Sequence, residues 1–152
     1  MPNDGVPHIA IRAAKMSDAA TLGQLMCELG YETTTAEMRQ RLESILSDAR
    51  YSTFIAEVDN QIAGMIGTLT VSSYEHNDAG GRILALVTFT KARRRGIGRA
   101  LIATVEKDFA QRGVRRVALD TRLTREDANT FYESLGYERN GWRFVKQIPV
   151  RE

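Results

Sequence analysis

The residues best suited to chemistry form a short basic turn that separates a hydrophobic run from an amphipathic helix. The turn consists of Arg93, Arg94, Arg95, Gly96, Ile97, Gly98 and Arg99. The first N–H groups of a helix have no partner within it, and the helix dipole places partial positive charge there. Glycine lets the backbone approach an anion closely, and the surrounding arginines add charge. The turn therefore predicts a site for a pyrophosphate or a similar anion.

Other interpretations of this turn follow from the residues alone. No Gly-Lys-Ser/Thr sequence follows the glycines, which excludes a Walker A loop, and Leu101 occupies the third glycine position of a dinucleotide fingerprint. An ordinary strand-to-helix turn and a solvated basic surface stay open. A nucleic-acid surface is disfavoured, because the net charge is only +2 and no aromatic residue interrupts the arginines. Phosphate binding is therefore the favoured interpretation.

The elements that must position this turn follow from periodicity and capping patterns, which predict an α/β domain on a mostly antiparallel sheet. Strands are predicted at 8–13, 52–58, 61–71, 83–89, 114–121 and 137–148, with hairpin turns at 59–60 and 140–141. Helices are predicted after an N-cap at Ser17 and up to Gly30, from Thr35, from the basic turn to Gly113, and from a capping box at 124–127 to before Gly136.

A second pattern follows the basic turn further along the chain, Asn129-Thr130-Phe131-Tyr132-Glu133-Ser134-Leu135-Gly136-Tyr137. The two patterns, in this order, resemble the GCN5-related N-acetyltransferase (GNAT) family over about residues 8–148. That family has an Arg/Gln-x-x-Gly-x-Gly/Ala turn followed by an Asn-x-Phe-Tyr-x-x-Leu-Gly element. The resemblance implies an α/β (α+β) fold with a mixed, mostly antiparallel sheet of six to seven strands and four helices. It also implies that the fourth and fifth strands splay apart to admit the pantetheine arm of acetyl-coenzyme A.

The resemblance also assigns site residues. It places acetyl-coenzyme A on Leu86, Val87, Thr88, Arg93, Arg94, Arg95, Gly96, Ile97, Gly98, Arg99 and Asn129. Tyr132 is implied to be the catalytic acid, because a neutral phenol can protonate the departing thiolate. From the residues alone, Tyr132 could equally be a packing residue, and Asn129 could serve only the local backbone. Thr90 stands where the family often has proline.

The general base stays open. The family often has a glutamate on the fourth strand, where this chain has Leu84 and Ala85. Candidates elsewhere are Tyr31, Glu32, Glu75, His76, Asp78 and Asp120. Imidazole titrates nearest neutral pH, which favours histidine among them. A water relay or an acceptor amine that is already neutral would need no such residue. Cys27 is expected to be a small core residue rather than a nucleophile.

Composition bounds the remaining expectations. A chain of 152 residues with 43% hydrophobic content predicts one domain over 8–152, after a disordered segment at 1–7. One cysteine and two histidines give no metal-ligand pattern, and no signal peptide or membrane-spanning run is visible. A cytoplasmic location, no metal, and no nucleic-acid or membrane partner are expected.

The expected function is that of an enzyme, an acetyl-coenzyme A-dependent N-acetyltransferase. It would move the acetyl group to a primary amine of a small molecule by direct attack in a ternary complex. Two alternatives are a protein or peptide N-acetyltransferase and a catalytically weak regulatory module that binds acetyl-coenzyme A. A homodimer is left open.

Overall fold

The structure is a computed structural model that describes residues 8–121 and 126–150. The chain divides into two compact units, the first ending at Ala118 and the second beginning at Leu119. The first unit contains β1 (Ile9–Ala13), a 3₁₀ turn (Met16–Asp18), α1 (Ala19–Leu29), α2 (Thr35–Leu46), β2 (Tyr51–Val58), β3 (Gln61–Val71), β4 (Gly80–Thr88), a second 3₁₀ turn (Thr90–Ala92), α3 (Ile97–Gln111) and β5 (Val117–Ala118). The second unit contains α4 (Glu126–Ser134).

The strands form one mixed sheet in the order β1-β2-β3-β4-β5. The first four strands pair antiparallel, and β5 pairs with β4 in parallel. The hairpin predicted at 59–60 is confirmed, since Asp59 and Asn60 have φ values of 52° and 64°. Two consecutive left-handed residues give the turn whose twist matches that of antiparallel strands. The predicted α/β fold with a mostly antiparallel sheet is therefore confirmed.

Helices cover both faces of the sheet. Met65 and Ile66 are neighbours on β3 and point to opposite faces, yet both are buried. On the Met65 side, α1 and α2 contribute to the core with Leu22, Leu25, Met38 and Leu42. On the Ile66 side, a Cβ at Gly64 would lie 3.2 Å from Ile97 Cγ2 at the start of α3. The predicted hydrophobic stripe of α3, Leu101, Ile102, Val105 and Phe109, is fully buried.

The start of α1 differs from the prediction. Asp18, not Ser17, is the N-cap, and Met16–Asp18 forms a 3₁₀ turn before the helix. The Asp18 side chain makes no capping bond to α1; its carboxylate instead accepts the Lys15 N–H at 2.8 Å and two N–H groups of Arg12 at 2.8 Å each. The end of α1 at Gly30 is confirmed, with φ 111° at the C-cap. A left-handed residue there is typical of glycine.

Arg12 is the centre of a partly buried ion cluster at the edge of the sheet. Its Nη atoms bind Asp18, and its Nε donates to Glu57 Oε1 at 2.7 Å. The Asp18 side chain is only 7% exposed. The pKa of the Asp18 carboxyl lies below its ordinary value, first because Arg12 donates to it and also because Lys15 N–H does. The cluster joins β1, β2 and the start of α1.

Two predicted strands need correction. The strand predicted at 114–121 is limited to Val117–Ala118, and 137–148 forms no strand, so the described residues hold five strands rather than six or seven. Residues 138–150 are exposed, including Trp142 at 76% and Phe144 at 93%. A strand forms where backbone partners and burial are available, and here the alternation of hydrophobic and polar residues stops at Val145 and residues 138–150 are exposed.

The helix in the second unit agrees with the prediction as far as it is described. It ends at Ser134, before Gly136, whose φ is 92°. Part of the predicted capping box at 124–127 lies outside the described residues.

Candidate active site

The backbone positions predicted to bind pantetheine lie on β4. There β4 and β5 pair at Gly81↔Val117 and Arg82↔Ala118, and β4 continues over 83–88 past the end of β5. Leu86, Val87 and Thr88 pair with β3 on the opposite edge. On the edge that faces β5, β4 therefore has no strand partner over 83–88 within the described residues. Val87 is buried and packs in the core cluster.

A β-bulge interrupts β4 just before these positions. Gly67 lies opposite Ala85 and Thr68 lies opposite Ile83, so Leu84 is the extra residue. Its side chain is 51% exposed. Bulges bend a strand and are common next to active sites. Leu84 and Ala85 place no carboxylate at this bend, and nothing in the sequence pattern indicated the bulge.

The basic turn has an unusual backbone. After Arg93, Arg94 has φ 65° and Gly96 has φ 79°, so two residues separated by one position have left-handed backbone conformations. This conformation costs little at glycine and more at arginine. Gly96 is the N-cap of α3, and its carbonyl accepts the Ala100 N–H at 3.0 Å. The open N–H groups of the first helical turn therefore begin at this point, as an anion site requires.

The arginine side chains of the turn are exposed. In the described part of the chain, Arg94, Arg95 and Arg99 have no carboxylate within salt-bridge distance. Some arginines elsewhere are paired, as Arg50 is with Asp48, whereas Arg39 and Arg115 are exposed and likewise form no ion pair within the described residues. Charges without a protein partner are available to an anionic ligand, so this pattern agrees with the predicted cofactor site.

A shallow groove of about 460 Å³ lies beside the turn, between the β2–β3 hairpin and the second 3₁₀ turn. Its lining consists of Val58, Asp59, Gln61, Ile62, Ala63, Lys91, Ala92 and Arg95. Among the residues predicted to bind the cofactor, Arg95 thus lines this groove.

One functional candidate was missed by the sequence reasoning. Glu28, in the last turn of α1, accepts the Thr90 N–H on Oε1 at 2.7 Å, and the Thr90 hydroxyl donates to the same atom. These bonds, first from the hydroxyl and then from the N–H, lower the pKa of the Glu28 carboxyl, and the charge of Arg93 adds to the effect. The only signal in the sequence was Thr90 itself, which has an N–H where the family often has proline.

Asn129 and Tyr132 lie on α4 in the second unit. Asn129 is buried, and its Oδ1 accepts the Thr121 hydroxyl, so the amide nitrogen is the part suited to a cofactor carbonyl. Tyr132 is half-buried, with its ring edge-to-face against Phe131 at 5.3 Å and Tyr137 at 6.0 Å. These contacts orient the Tyr132 ring. The roles of both residues stay predictions.

The candidates for a general base have different surroundings. Asp78 pairs with Arg116 at 3.0 Å, which is the main cause of its lowered pKa and makes it a weak proton acceptor. Glu75 and His76 are exposed, and their backbone N–H groups each bind Ser73 Oγ at 3.0 Å. Glu32 and Asp120 are exposed, as is Tyr31 at 53%. No member of the set is singled out.

Cys27 is not the core residue that was expected. It is exposed, and its Sγ accepts the Thr33 N–H at 3.4 Å. It lies two residues after the buried Leu25, which puts it on the other side of the helix.

Residues 8–121 and 126–150 contain neither a cluster of metal ligands nor a membrane-spanning helix. No three His, Cys, Asp or Glu side chains in these ranges lie together as a metal site would need. None of the helices described there combines the length and hydrophobicity of a membrane span.

A mixed sheet whose fourth strand leads through a basic, left-handed turn into a helix defines an α/β protein with a basic turn at the N-terminus of α3. The Acetyltransferase (GNAT) family model matches residues 20–137. The chain therefore belongs to this family of acetyltransferases.

Relatives and solved structures agree with this assignment. The chain is 29% identical to human N-acetyltransferase 8 over 112 residues, 74% of this chain and 49% of that protein. It thus spans about half the length of that relative. It is also 28% identical to the uncharacterized N-acetyltransferase YhdJ of Bacillus subtilis over 125 residues, 82% of this chain and 87% of that protein.

Among solved structures, a GNAT family acetyltransferase from Staphylococcus aureus is 27% identical, with a TM-score of 0.79 over 92% of this chain and 98% of that chain. The aminoglycoside N-acetyltransferase AAC(6')-Iy in complex with CoA is 20% identical, with a TM-score of 0.85 over 99% of both chains. At 20% identity, the similarity to AAC(6')-Iy shows only that this chain has the same fold.

Proposed function

We propose that this chain is an acetyl-coenzyme A-dependent N-acetyltransferase. The observation that carries the proposal is the turn before α3, where open helix N–H groups occur together with exposed arginines that have no carboxylate partner within the described residues. Such a turn suits the pyrophosphate and 3′-phosphate of coenzyme A. The CoA held by AAC(6')-Iy, which has this fold, adds support. Leu86, Val87 and Thr88 would pair with the pantetheine amides through their backbone, as an added strand pairs with an open edge.

The reaction would be direct transfer. The acceptor nitrogen attacks the thioester carbonyl, an N–C bond forms, and the C–S bond to coenzyme A breaks. Backbone N–H groups would polarise the carbonyl, and Tyr132 would give its proton to the thiolate. The proton lost by the amine would pass to water or to one of the candidate bases.

The acceptor would be a primary amine of a small molecule. Glu32 and Glu75 are exposed on the α1–α2 connection and the β3–β4 loop, and they would suit a cationic amine. A protein or peptide amine is the alternative within the same chemistry. The homodimer and the cytoplasmic location stay predictions.

A catalytically weak module that binds acetyl-coenzyme A is a second candidate. It is favoured by one observation, the apolar Leu84 and Ala85 where the family often has a glutamate. Tight cofactor binding without acetyl transfer to a broad panel of amines would support it over the enzyme.

The first test is a calorimetric titration with acetyl-coenzyme A, and with dephospho-coenzyme A and coenzyme A as a matched pair. We expect saturable one-to-one binding of acetyl-coenzyme A. Coenzyme A should bind more tightly than its dephospho form, because arginines would contact the 3′-phosphate. Absence of binding would contradict both the enzyme and the regulatory module.

The second test is Tyr132→Phe, with Tyr51→Phe as the control on β2. We expect kcat to fall by about 10- to 100-fold while the Kd for acetyl-coenzyme A stays nearly constant, because the phenol would act only on the leaving thiolate. Steady-state kinetics and calorimetry measure the two quantities. An unchanged kcat would remove Tyr132 from the mechanism.

A further inference from the structure

The beginning of the basic turn is held by a residue that is far away in the sequence. Thr90 is the first residue of the second 3₁₀ turn, and Phe89 before it supplies no side-chain cap. Glu28 instead accepts both the Thr90 N–H, at 2.7 Å, and the Thr90 hydroxyl. A carboxylate that accepts two donors from one residue fixes the position and the direction of that residue.

Glu28 lies on a helix that is anchored in the hydrophobic core. The helix α1 is anchored in the core by Leu22 and Leu25, both fully buried, and it ends in a left-handed cap at Gly30. The other side of the 3₁₀ turn is held by Ala92, which is buried and donates its N–H to Phe89 O at 2.9 Å. The left-handed residue Arg94 follows two residues later. The path of the arginine turn therefore starts from two fixed points.

We propose that Glu28 is a positioning residue for the cofactor turn, which it holds in the binding-competent conformation through Thr90. This inference rests on the proposed function, since it concerns how the same anion site is preformed. Glu28 would not contact the cofactor. Its loss would lower the fraction of molecules whose turn is competent, and the apparent Kd rises by the inverse of that fraction.

The geometry at Thr90 supplies a strict test of this role. Phe89 has φ −56° and ψ 140°, which suits a residue before proline. The first residue of a helical turn tolerates proline, because its N–H needs no partner within the turn. Thr90→Pro should therefore fix the start of the turn without needing Glu28.

The experiment compares Glu28→Ala with Glu43→Ala, a matched control at an exposed glutamate of α2. We expect Glu28→Ala to raise the Kd for coenzyme A and the Kd for dephospho-coenzyme A by the same factor, about three- to tenfold. The ratio of the two affinities should not change, because the phosphate contacts themselves are intact. Glu28→Gln keeps a neutral hydrogen-bond acceptor and should therefore lose less affinity for both ligands than Glu28→Ala. Glu43→Ala should have no effect.

A rescue variant distinguishes a positioning role of Glu28 from a general contribution of Glu28 to stability. In the double variant Glu28→Ala/Thr90→Pro, affinity should return to within about twofold of wild type. Hydrogen exchange of the free protein gives a second measurement, with faster exchange over 90–96 in Glu28→Ala than in Glu43→Ala. Equal affinity of Glu28→Ala and wild type, or a loss that reduces the preference for coenzyme A over its dephospho form, would overturn the proposal.

Failure of the proposed function has a different signature. Wild-type protein that binds no acetyl-coenzyme A would refute the function and, with it, the cofactor role of Glu28. Wild-type binding without any response to Glu28→Ala would refute only the positioning role.

Discussion

Arginine is used in opposite ways at two places in the first unit. Arg12 is partly buried and makes three short bonds to the carboxylates of Asp18 and Glu57. Arg94 and Arg99 are exposed and, within residues 8–121 and 126–150, have no carboxylate within salt-bridge distance. The first arrangement satisfies charge inside the fold, whereas the second leaves charge for a ligand. Removing the partly buried, paired Arg12 should therefore cost stability, and removing an unpaired arginine of the basic turn should cost binding.

The largest expected effect is that of Arg12→Ala. The substitution leaves the nearly buried Asp18 carboxylate without its cation, and we expect the free energy of unfolding to fall by about 2–4 kcal/mol. Urea denaturation measures the change. Arg50→Ala is the control, because the Arg50–Asp48 pair is exposed and should contribute less than about 1 kcal/mol. Equal losses of stability in the two variants would mean that the burial of Asp18 does not strengthen its ion pair with Arg12.

The second effect tests the backbone of the basic turn. We expect Gly96→Val to raise the Kd for acetyl-coenzyme A by about 10- to 100-fold, because a side chain at a left-handed N-cap strains the turn and obstructs the anion. Gly113→Val is a matched control, since Gly113 also has φ 79° and open space around its Cα. Both variants should lose similar stability, and only Gly96→Val should lose affinity. A similar loss of affinity in Gly113→Val would mean that strain alone is responsible.

The third effect concerns the side chains of the turn. Arg94→Ala and Arg99→Ala should each raise the Kd for coenzyme A by about three- to tenfold. The free energy of unfolding should change by no more than about 0.5 kcal/mol in either variant. At least one of them should reduce the preference for coenzyme A over dephospho-coenzyme A. Arg115→Ala, at an exposed arginine outside the turn, should leave calorimetric affinity unchanged. A marked loss of stability in the turn variants would contradict the comparison.

The smallest effect is expected from pH. The pKa of Asp18 is lower in the folded state than its ordinary value, mainly because Arg12 donates to it. Its contribution is therefore fully present above the unfolded pKa and is lost as pH falls through the folded pKa. Thermal unfolding of wild type should show a decline of Tm in acid, and Arg12→Ala should show a smaller decline from its lower starting value. Parallel curves for the two proteins would exclude Asp18 as the acid-sensitive group.

Local chemistry made much of the fold predictable. The hairpin at Asp59 and Asn60, the end of α1 at Gly30 and the buried stripe of α3 each depend on residues near one another in the chain. The basic turn belongs to the same class, because its arginines and glycines are consecutive. Turn chemistry and helical periodicity act over a few residues, so a single sequence reveals them.

The features that were missed depend on distant partners. The Glu28–Thr90 bonds join residues separated by 62 positions, and the Arg12–Glu57 bond spans 45. The bulge at Leu84 is a property of the pairing with β3 rather than of β4 itself. The strand predicted at 137–148 failed for the same reason, because hydrophobic residues alone do not supply a backbone partner.

The exposed position of Cys27 gives this chain a practical property. Cys27 is the only cysteine and Trp142 the only tryptophan in the sequence, and both are exposed. A thiol-reactive dye would attach at one known point in the first unit, beside Glu28, and the indole is a natural donor in the second. Resonance energy transfer between the two probes would report in real time whether the labelled protein responds to acetyl-coenzyme A, without any engineered residue.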